Sequence, residues 1–178
     1  QMTRELLDQI VFNTFRNPYL EQKHDGAIVP LKGPVVISTD SFVVSPIFFR
    51  GGDIGELAVN GTVNDVAMCG AIPEFISLGF IIEEGLEMAQ FLRVVESVKR
   101  AAEEAGVQVV TGDTKVVESG KGDKIFINPT GIGNPHPKAQ ISMDRVGVGD
   151  QILVSGPIAA HGMAILSERE GLEFESEI

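Results

Sequence analysis

One stretch in the first half of the chain constrains the fold most. It contains a strand-like run, then a glycine pair, then an apolar helical segment. The β-branched run at 35–39 is typical of a strand and is followed directly by Asp40. Gly51-Gly52 then precedes a largely apolar or small segment, 54–68. We therefore predict a strand and a helix, with one acid at the strand end and a second acid, Asp65, inside the helix.

The helix predicted at 54–68 has clear boundary signals. Asp53 is a suitable N-cap, and Gly70 is a natural stop. Gly55 and Gly61 lower the helix propensity of the segment but allow another part of the chain to approach its backbone closely.

The remaining segments predict a mixed order of strands and helices. Further strands are predicted at 43–49, 75–82, 107–111, 125–132 and 151–155, and further helices at 6–15, 88–105 and 161–169. Pro46 places the first of these strands at an edge or a bulge. The polar ESGKGDK segment predicts a hairpin between 116–117 and the strand at 125–132. This order favours an α+β domain with helices on one side of a mostly antiparallel sheet, and a domain boundary near 147–150.

Composition and charge exclude several classes of function. With 178 residues, 43% of them hydrophobic and 22% charged, the chain can bury the core of a globular domain. A net charge of -11 argues against a nucleic-acid binder and against binding to an anionic membrane. ATP stays possible because a bound Mg²⁺ inverts the local field. A single cysteine, Cys69, allows no intrachain disulfide and favours a reducing, cytoplasmic compartment.

Common nucleotide and zinc motifs are absent from the sequence. There is no GxxxxGK[ST], no GxGxxG after a strand, no HExxH and no cysteine ligand pair. His136 and His161 are expected to be surface or turn residues, and Cys69 is expected to be a buried small hydrophobe.

Three aspartates are the candidates for chemistry. Asp40 and Asp113 follow β-branched runs, and Asp65 lies in the predicted helix. Mg²⁺ takes oxygen ligands and is often held by one or two carboxylates plus substrate phosphates. The alternative for each acid is a helix cap or a turn residue. Lys115 is either a phosphate contact or a solvated charge, and Gly51-Gly52 is either an anion-binding loop or a tight turn.

Four motifs give the sequence a resemblance to a known family. TDSFVV, NGTVNDVA, TGDTKVV and FINPTGIG closely resemble the HypE family of hydrogenase maturation factors. That family lies in the PurM-like superfamily of aminoimidazole ribonucleotide synthetase, selenophosphate synthetase and thiamine-monophosphate kinase. The resemblance implies a PurM-like N-terminal ATP-binding domain at 1–149, dimerising through its strands, and the beginning of a second, truncated α/β domain at 150–178.

The resemblance also implies ATP and Mg²⁺ as ligands and assigns residues to each. By position in the motifs, the metal ligands are expected to be Asp25, Asp40, Asp65 and Asp113, and the last two are also the expected catalytic residues. The nucleotide contacts are expected to be Thr39, Asn64, Gly112, Thr114 and Lys115.

The implied reaction is the ATP-dependent dehydration of a carboxamide on a C-terminal cysteine to a thiocyanate, which supplies cyanide to a hydrogenase iron. The implied partners are a second copy in a homodimer, the carbamoyltransferase HypF and the HypC–HypD complex. The terminal cysteine is not in this sequence, and Cys69 lies mid-chain, so we expect the chain alone not to complete this chemistry.

The sequence also departs from the family pattern at other positions, and two alternative functions stay open. The glycine-rich segment that usually precedes RELLDQ is absent, Glu56 stands where many relatives have lysine, and His24 stands where an acid is frequent. Another ATP-using PurM-like enzyme, such as selenophosphate synthetase, and a dimerising scaffold domain without catalysis are the alternative functions.

Overall fold

The computed structural model of the protein describes residues 10–22 and 26–171. The strands are β1 (Val36–Thr39), β2 (Phe48–Phe49), β3 (Gly52–Asp53), β4 (Ala71–Glu83), β5 (Gln108–Val117) and β6 (Ile125–Pro135). The main helices are α1 (Ile54–Met68), α2 (Met88–Ala105) and α3 (Ala160–Glu170). Residues 10–14 are also helical, and 3₁₀ turns occur at Leu20–Gln22 and Met143–Arg145.

Four strands form the main sheet in the order β1-β6-β4-β5, and β2 and β3 form a separate two-stranded ladder. β6 runs antiparallel to both β1 and β4, while β4 and β5 are parallel. The parallel pair follows from the connection through α2, since parallel neighbours need a crossover. The predicted α+β class with a mostly antiparallel sheet is therefore confirmed.

One face of the sheet is buried under α1 and α2. Alternate β4 residues that include Leu78 and Phe80 join Phe91 and Val98 of α2 in the same hydrophobic cluster. The rings of Phe80 and Phe91 meet edge to face with centroids 5.9 Å apart. The opposite side, which carries the intervening residues of each strand, is termed the open face below.

Two glycines of α1 are sites of close approach, as predicted. A Cβ at Gly55 would lie 2.6 Å from the carbonyl oxygen of Val94, so the glycine lets α1 cross α2 closely. A Cβ at Gly61 would lie 2.7 Å from the ring of Phe42. The helix boundaries are also confirmed: Asp53 is the N-cap of α1, and Gly106 ends α2 in the left-handed conformation.

Several strand predictions were wrong. β5 does not end at residue 111 but continues through Gly112-Asp113-Thr114 to Val117, because its second half pairs with β4. The predicted hairpin does not form, because β6 pairs with β1 and β4 instead of β5. Residues 151–155 form no strand, and of the strand predicted at 43–49 only Phe48–Phe49 is extended and paired.

The segment after β6 has two distinct parts. Side chains between residues 146 and 158 are exposed, with Ile152 and Leu153 each 92% accessible. α3 then returns to the body of the protein, where Ile165 is part of the main core cluster and Arg169 Nε donates to the carbonyl oxygen of Ser45 at 2.6 Å. The boundary between residues 149 and 150 stays a prediction. None of the helices in the described ranges combines the length and apolar character needed to cross a membrane.

Candidate functional site

Asp40 lies where β1 leaves the sheet, and β6 holds this segment in place. The Thr39 hydroxyl donates to the carbonyl oxygen of Pro129 at 3.0 Å and accepts from the Thr130 hydroxyl at 3.0 Å. The Asp40 amide donates to the same carbonyl at 3.2 Å. The backbone around this carboxylate is thus fixed on both sides of the strand exit, while the side chain itself is exposed.

Asp65 reaches the same edge of the sheet from α1. The Ser38 hydroxyl donates to Asp65 Oδ2 at 3.0 Å. Ser38 and Asp40 are two residues apart on an extended segment, a spacing of roughly 7 Å. The fold therefore brings Asp40 and Asp65 to one edge, with their carboxylates exposed to solvent.

Asp113 lies on β5, at the opposite edge of the sheet from β1. Its Oδ1 accepts from the Thr114 amide at 2.8 Å, and its Oδ2 is 2.6 Å from Lys115 Nζ. Asp113 is thus held by its own strand neighbours and is not a strand-exit residue as the sequence predicted.

Asn128 occupies the row of the sheet between the two edges. Asp113 is the β-partner of Gly79, and Gly79 is the partner of Asn128. The Asn128 side-chain amide in turn donates to the hydroxyl of Ser41, next to Asp40. Because laterally paired residues project from the same face, Asn128 and Asp113 both lie on the open face, with only a glycine between them.

The other expected nucleotide residues have mixed environments. Asn64 is exposed beside Asp65 on α1. Thr114 is half-buried on β5. A Cβ at Gly112 would lie 2.2 Å from the carbonyl oxygen of Leu78, so glycine is required there by strand packing. Asp25 and His24 lie outside the described residues.

The donor chemistry of the aspartates fits a hard divalent cation. Within residues 10–22 and 26–171, no group of three or more histidine, cysteine or acidic side chains is close enough to hold a metal alone. Asp40 and Asp65 at one edge nevertheless provide the one or two carboxylates that Mg²⁺ uses when substrate phosphates complete its shell. The assignment of Asp25, Asp40, Asp65 and Asp113 as metal ligands stays a prediction.

The glycine pair before α1 is a turn, because the helix amides there already have a partner. The carboxylate of Asp53 accepts from the amides of Gly55 at 2.8 Å and Glu56 at 3.1 Å. Gly51 adopts the left-handed conformation, with φ of 91°. An anion would have to displace Asp53 from these amides, so we prefer the turn interpretation.

Cys69 is exposed, and its prediction as a buried hydrophobe was wrong. It is the C-cap residue of α1 and follows Met68, which is also exposed. The predictions for His136 and His161 were correct, since both are exposed.

Glu83 has the clearest electrostatic role among the described residues. Its carboxylate accepts from the amides of Lys124 at 2.9 Å and Gly120 at 2.5 Å, at the far end of β4. These backbone hydrogen bonds, that of Lys124 first, lower the pKa of Glu83 below its ordinary value. The contact fixes the 118–124 turn and does not involve the candidate site.

Two concave regions lie between α1 and α3 and are separate from the three aspartates. One, of about 230 Å³, is lined by Phe49, the glycine pair and His161. The other, of about 630 Å³, continues along Leu57 and Ile165. Neither is lined by Asp40, Asp65 or Asp113, whose side chains are exposed.

Sequence reasoning missed Ser38 and Asn128. Both are polar residues within β-branched or apolar strand sequences, VVIST and IFINP, which is the signal that marks them. Their contacts depend on which strands pair, and this was not predictable from the local pattern.

Comparison with known proteins identifies similar chains. Residues 23–134 match the family model "AIR synthase related protein, N-terminal domain". The chain is 54% identical over 175 residues to "Carbamoyl dehydratase HypE" of Azotobacter vinelandii, an alignment that covers 98% of this chain and 51% of the relative. The chain thus spans about half the length of the curated relatives it matches.

Solved structures show the same similarity. A crystal structure of the hydrogenase maturation protein HypE in complex with ATP aligns with a TM-score of 0.94 at 52% identity, over 100% of this chain and 53% of that one. A HypE–HypF complex aligns with a TM-score of 0.78 at 48% identity, over 97% and 56% of the two chains.

Proposed function

This chain belongs to the AIR synthase related proteins, through their N-terminal domain, and on that premise we propose that it is the nucleotide-binding half of a HypE-type carbamoyl dehydratase. The observation that supports this most strongly is the alignment over the whole chain with a HypE structure that contains ATP. We propose residues 1–149 as the ATP-binding domain and 150–178 as the start of a second domain. The exposed apolar segment at 146–158 fits such a continuation.

ATP is proposed to bind at the sheet edge that carries Asp40 and Asp65. Asp40 and Asp65, with Asp25 and Asp113, are the proposed ligands of Mg²⁺. When bound, the cation neutralises the charge of the phosphates. Thr39, Asn64, Gly112, Thr114 and Lys115 are the proposed nucleotide contacts. Among these, Thr39 is held rigidly by β6, so its hydroxyl is expected to stay in place when the nucleotide binds.

The proposed reaction activates an amide oxygen. The oxygen of an S-carboxamide, on a cysteine at the end of the full-length protein, attacks the γ-phosphorus of ATP and ADP leaves. The nitrogen loses one of its two protons as the phosphorylated imidate forms. Departure of phosphate and loss of the second proton then give the thiocyanate. The amide oxygen is a poor leaving group until it is phosphorylated, so the enzyme mainly positions the reactants and stabilises charge. Asp65 and Asp113 are the proposed catalytic residues because they would bind and orient the phosphoryl group's cation.

The proposed partners follow from the same family. A HypE–HypF complex is among the similar structures, so we propose HypF as the protein that delivers the carbamoyl group. We also propose a homodimer that forms through the sheet, transfer of cyanide to a HypC–HypD complex, and a cytoplasmic location.

Mass spectrometry of the full-length protein tests this function. After incubation with HypF, a carbamoyl donor and Mg·ATP, the terminal peptide is expected to gain a carboxamide and then lose one water. Carbamoylated HypE that is then incubated without ATP should keep the carboxamide and lose no water. A carboxamide that persists with Mg·ATP present would contradict the proposal.

A further inference from the structure

Lys115 and Asp113 form an ion pair at the edge of the open face. They are two residues apart on β5 and therefore project from the same side of the sheet. Lys115 Nζ lies 2.6 Å from Asp113 Oδ2, and the two side chains are 70% and 65% exposed. The ammonium group thus occupies a position from which a cation would approach this carboxylate.

The strand next to this pair carries no side chain at the paired position. The next residue across the sheet is Gly79, which has no side chain, and Asn128 follows it. The nearest atom that a Cβ at Gly79 would meet is 3.6 Å away. Asp113 Oδ1 already accepts from the Thr114 amide, so a cation that binds Oδ2 must displace the lysine.

We propose that Lys115 is an internal competitor of the divalent cation at Asp113 and changes partner when a cation–nucleotide complex binds. This inference depends on the proposed function. A free cation must displace the ammonium and then stay beside it, which Coulomb repulsion disfavours. A cation that arrives on phosphate oxygens brings an anion to which Lys115 can turn. Lys115 therefore makes the site select the cation–nucleotide complex over the free cation.

The test measures two affinities of the full-length protein in Lys115→Met. Mn²⁺ binding without nucleotide is followed by electron paramagnetic resonance, and Mg·ATP binding is followed by calorimetry. We expect Mn²⁺ to bind roughly two- to fivefold more tightly in the variant, the range that exposed ion pairs contribute, and Mg·ATP to bind more weakly. The gain for Mn²⁺ should shrink as salt is raised.

Two controls separate this pair from general charge effects. Lys99→Met removes a lysine from another exposed ion pair, with Glu103 on α2 at 3.8 Å, and should change neither affinity. Lys115→Arg keeps the charge and should leave Mn²⁺ affinity near that of the wild type.

The outcomes distinguish the inference from the proposed function. If the wild type binds Mg·ATP but Lys115→Met shows unchanged or weaker Mn²⁺ binding, the inference is wrong and the proposed function stands. If Lys115→Met binds both Mn²⁺ and Mg·ATP more tightly, or both more weakly, Lys115 does not turn from Asp113 to the phosphates and the inference is also wrong. If the wild type binds neither Mn²⁺ nor Mg·ATP, the proposed function fails and the inference fails with it.

Discussion

The Ser38 hydroxyl donates a hydrogen bond of 3.0 Å to Asp65 Oδ2 and so joins β1 to α1 at the edge of the main sheet. This contact fixes one carboxylate oxygen of Asp65 and leaves the other for a ligand. It also places Asp65 beside the strand that leads to Asp40. The proposed cation site depends on this relationship, because neither aspartate has a buried environment that would fix its side chain.

Loss of the Ser38 hydroxyl should weaken the binding of Mg·ATP. A hydrogen bond of this kind contributes about 1 kcal/mol, so Ser38→Ala is expected to raise the Kd for Mg·ATP roughly fivefold. Ser38→Thr keeps the hydroxyl and should restore most of the affinity. Ser119→Ala, in the exposed turn after β5, is the matched control. Equal affinities in Ser38→Ala and the wild type, measured by calorimetry, would show that Asp65 needs no support from β1.

Glu83 should make stability depend on pH. Because backbone hydrogen bonds lower the pKa of Glu83 in the folded protein, its stabilising contribution is present above the ordinary glutamate value of about 4.3. The contribution is lost as the pH falls through the lower folded value. Glu83→Gln should therefore lower the Tm at pH 7, and the difference from the wild type should shrink at pH 3.

The neighbouring Glu84 is the control for this pH dependence. Glu84 is exposed and its carboxylate is not held by the turn. Thermal unfolding of Glu84→Gln should follow the wild type at both pH values. A Glu83→Gln difference that is constant with pH would mean that the turn does not prefer the charged carboxylate.

Gly55 should tolerate no larger residue, since α2 lies against it. A Cβ would lie 2.6 Å from the Val94 carbonyl oxygen, and backbone cannot move aside as a side chain does. Gly55→Ala is expected to lower the free energy of unfolding by about 1–3 kcal/mol. Gly162→Ala in α3, where a Cβ would meet no atom within 4 Å apart from the adjacent backbone of the helix itself, should instead stabilise by up to about 1 kcal/mol. Urea unfolding of the two variants checks the contrast in sign.

Phe91 is expected to be the most sensitive position of α2. It is 2% exposed and packs edge to face on Phe80 of β4. Phe91→Ala should cost about 3–5 kcal/mol by leaving a cavity between the helix and the sheet. Its neighbour Leu92 is 37% exposed, and Leu92→Ala should cost much less. Similar losses for both variants in urea unfolding would contradict the placement of the core.

Local sequence signals were sufficient to predict the two long helices but not to predict which strands pair in the sheet. The boundaries of α1 and α2 follow from Asp53, Gly106 and a helical apolar pattern, all of which act within a few residues. Strand pairing is non-local, so the sequence did not show that β6 lies between β1 and β4. For the same reason β5 was predicted to end before Gly112, whereas its pairing with β4 extends it.

The candidate site was likewise predictable from the sequence only in part. Asp40, Asp65 and Asp113 were recognisable because carboxylates beside strand-like and helical segments are suitable cation ligands. The contacts of Ser38 and Asn128 depend on strand register and on the position of α1 over the sheet. A sequence pattern specifies neither, so these positioning residues emerge only from the fold.

Calorimetric titration of the full-length protein with ATP, with and without Mg²⁺, tests the central claim most directly. Asp65→Asn keeps the size of the side chain and removes its charge, and Asp144→Asn is the control at an exposed acid outside the site. We predict that Mg²⁺ strengthens ATP binding in the wild type and in Asp144→Asn, and that Asp65→Asn loses at least roughly tenfold of the Mg²⁺-dependent affinity. Undiminished Mg²⁺-dependent binding in Asp65→Asn would contradict the account.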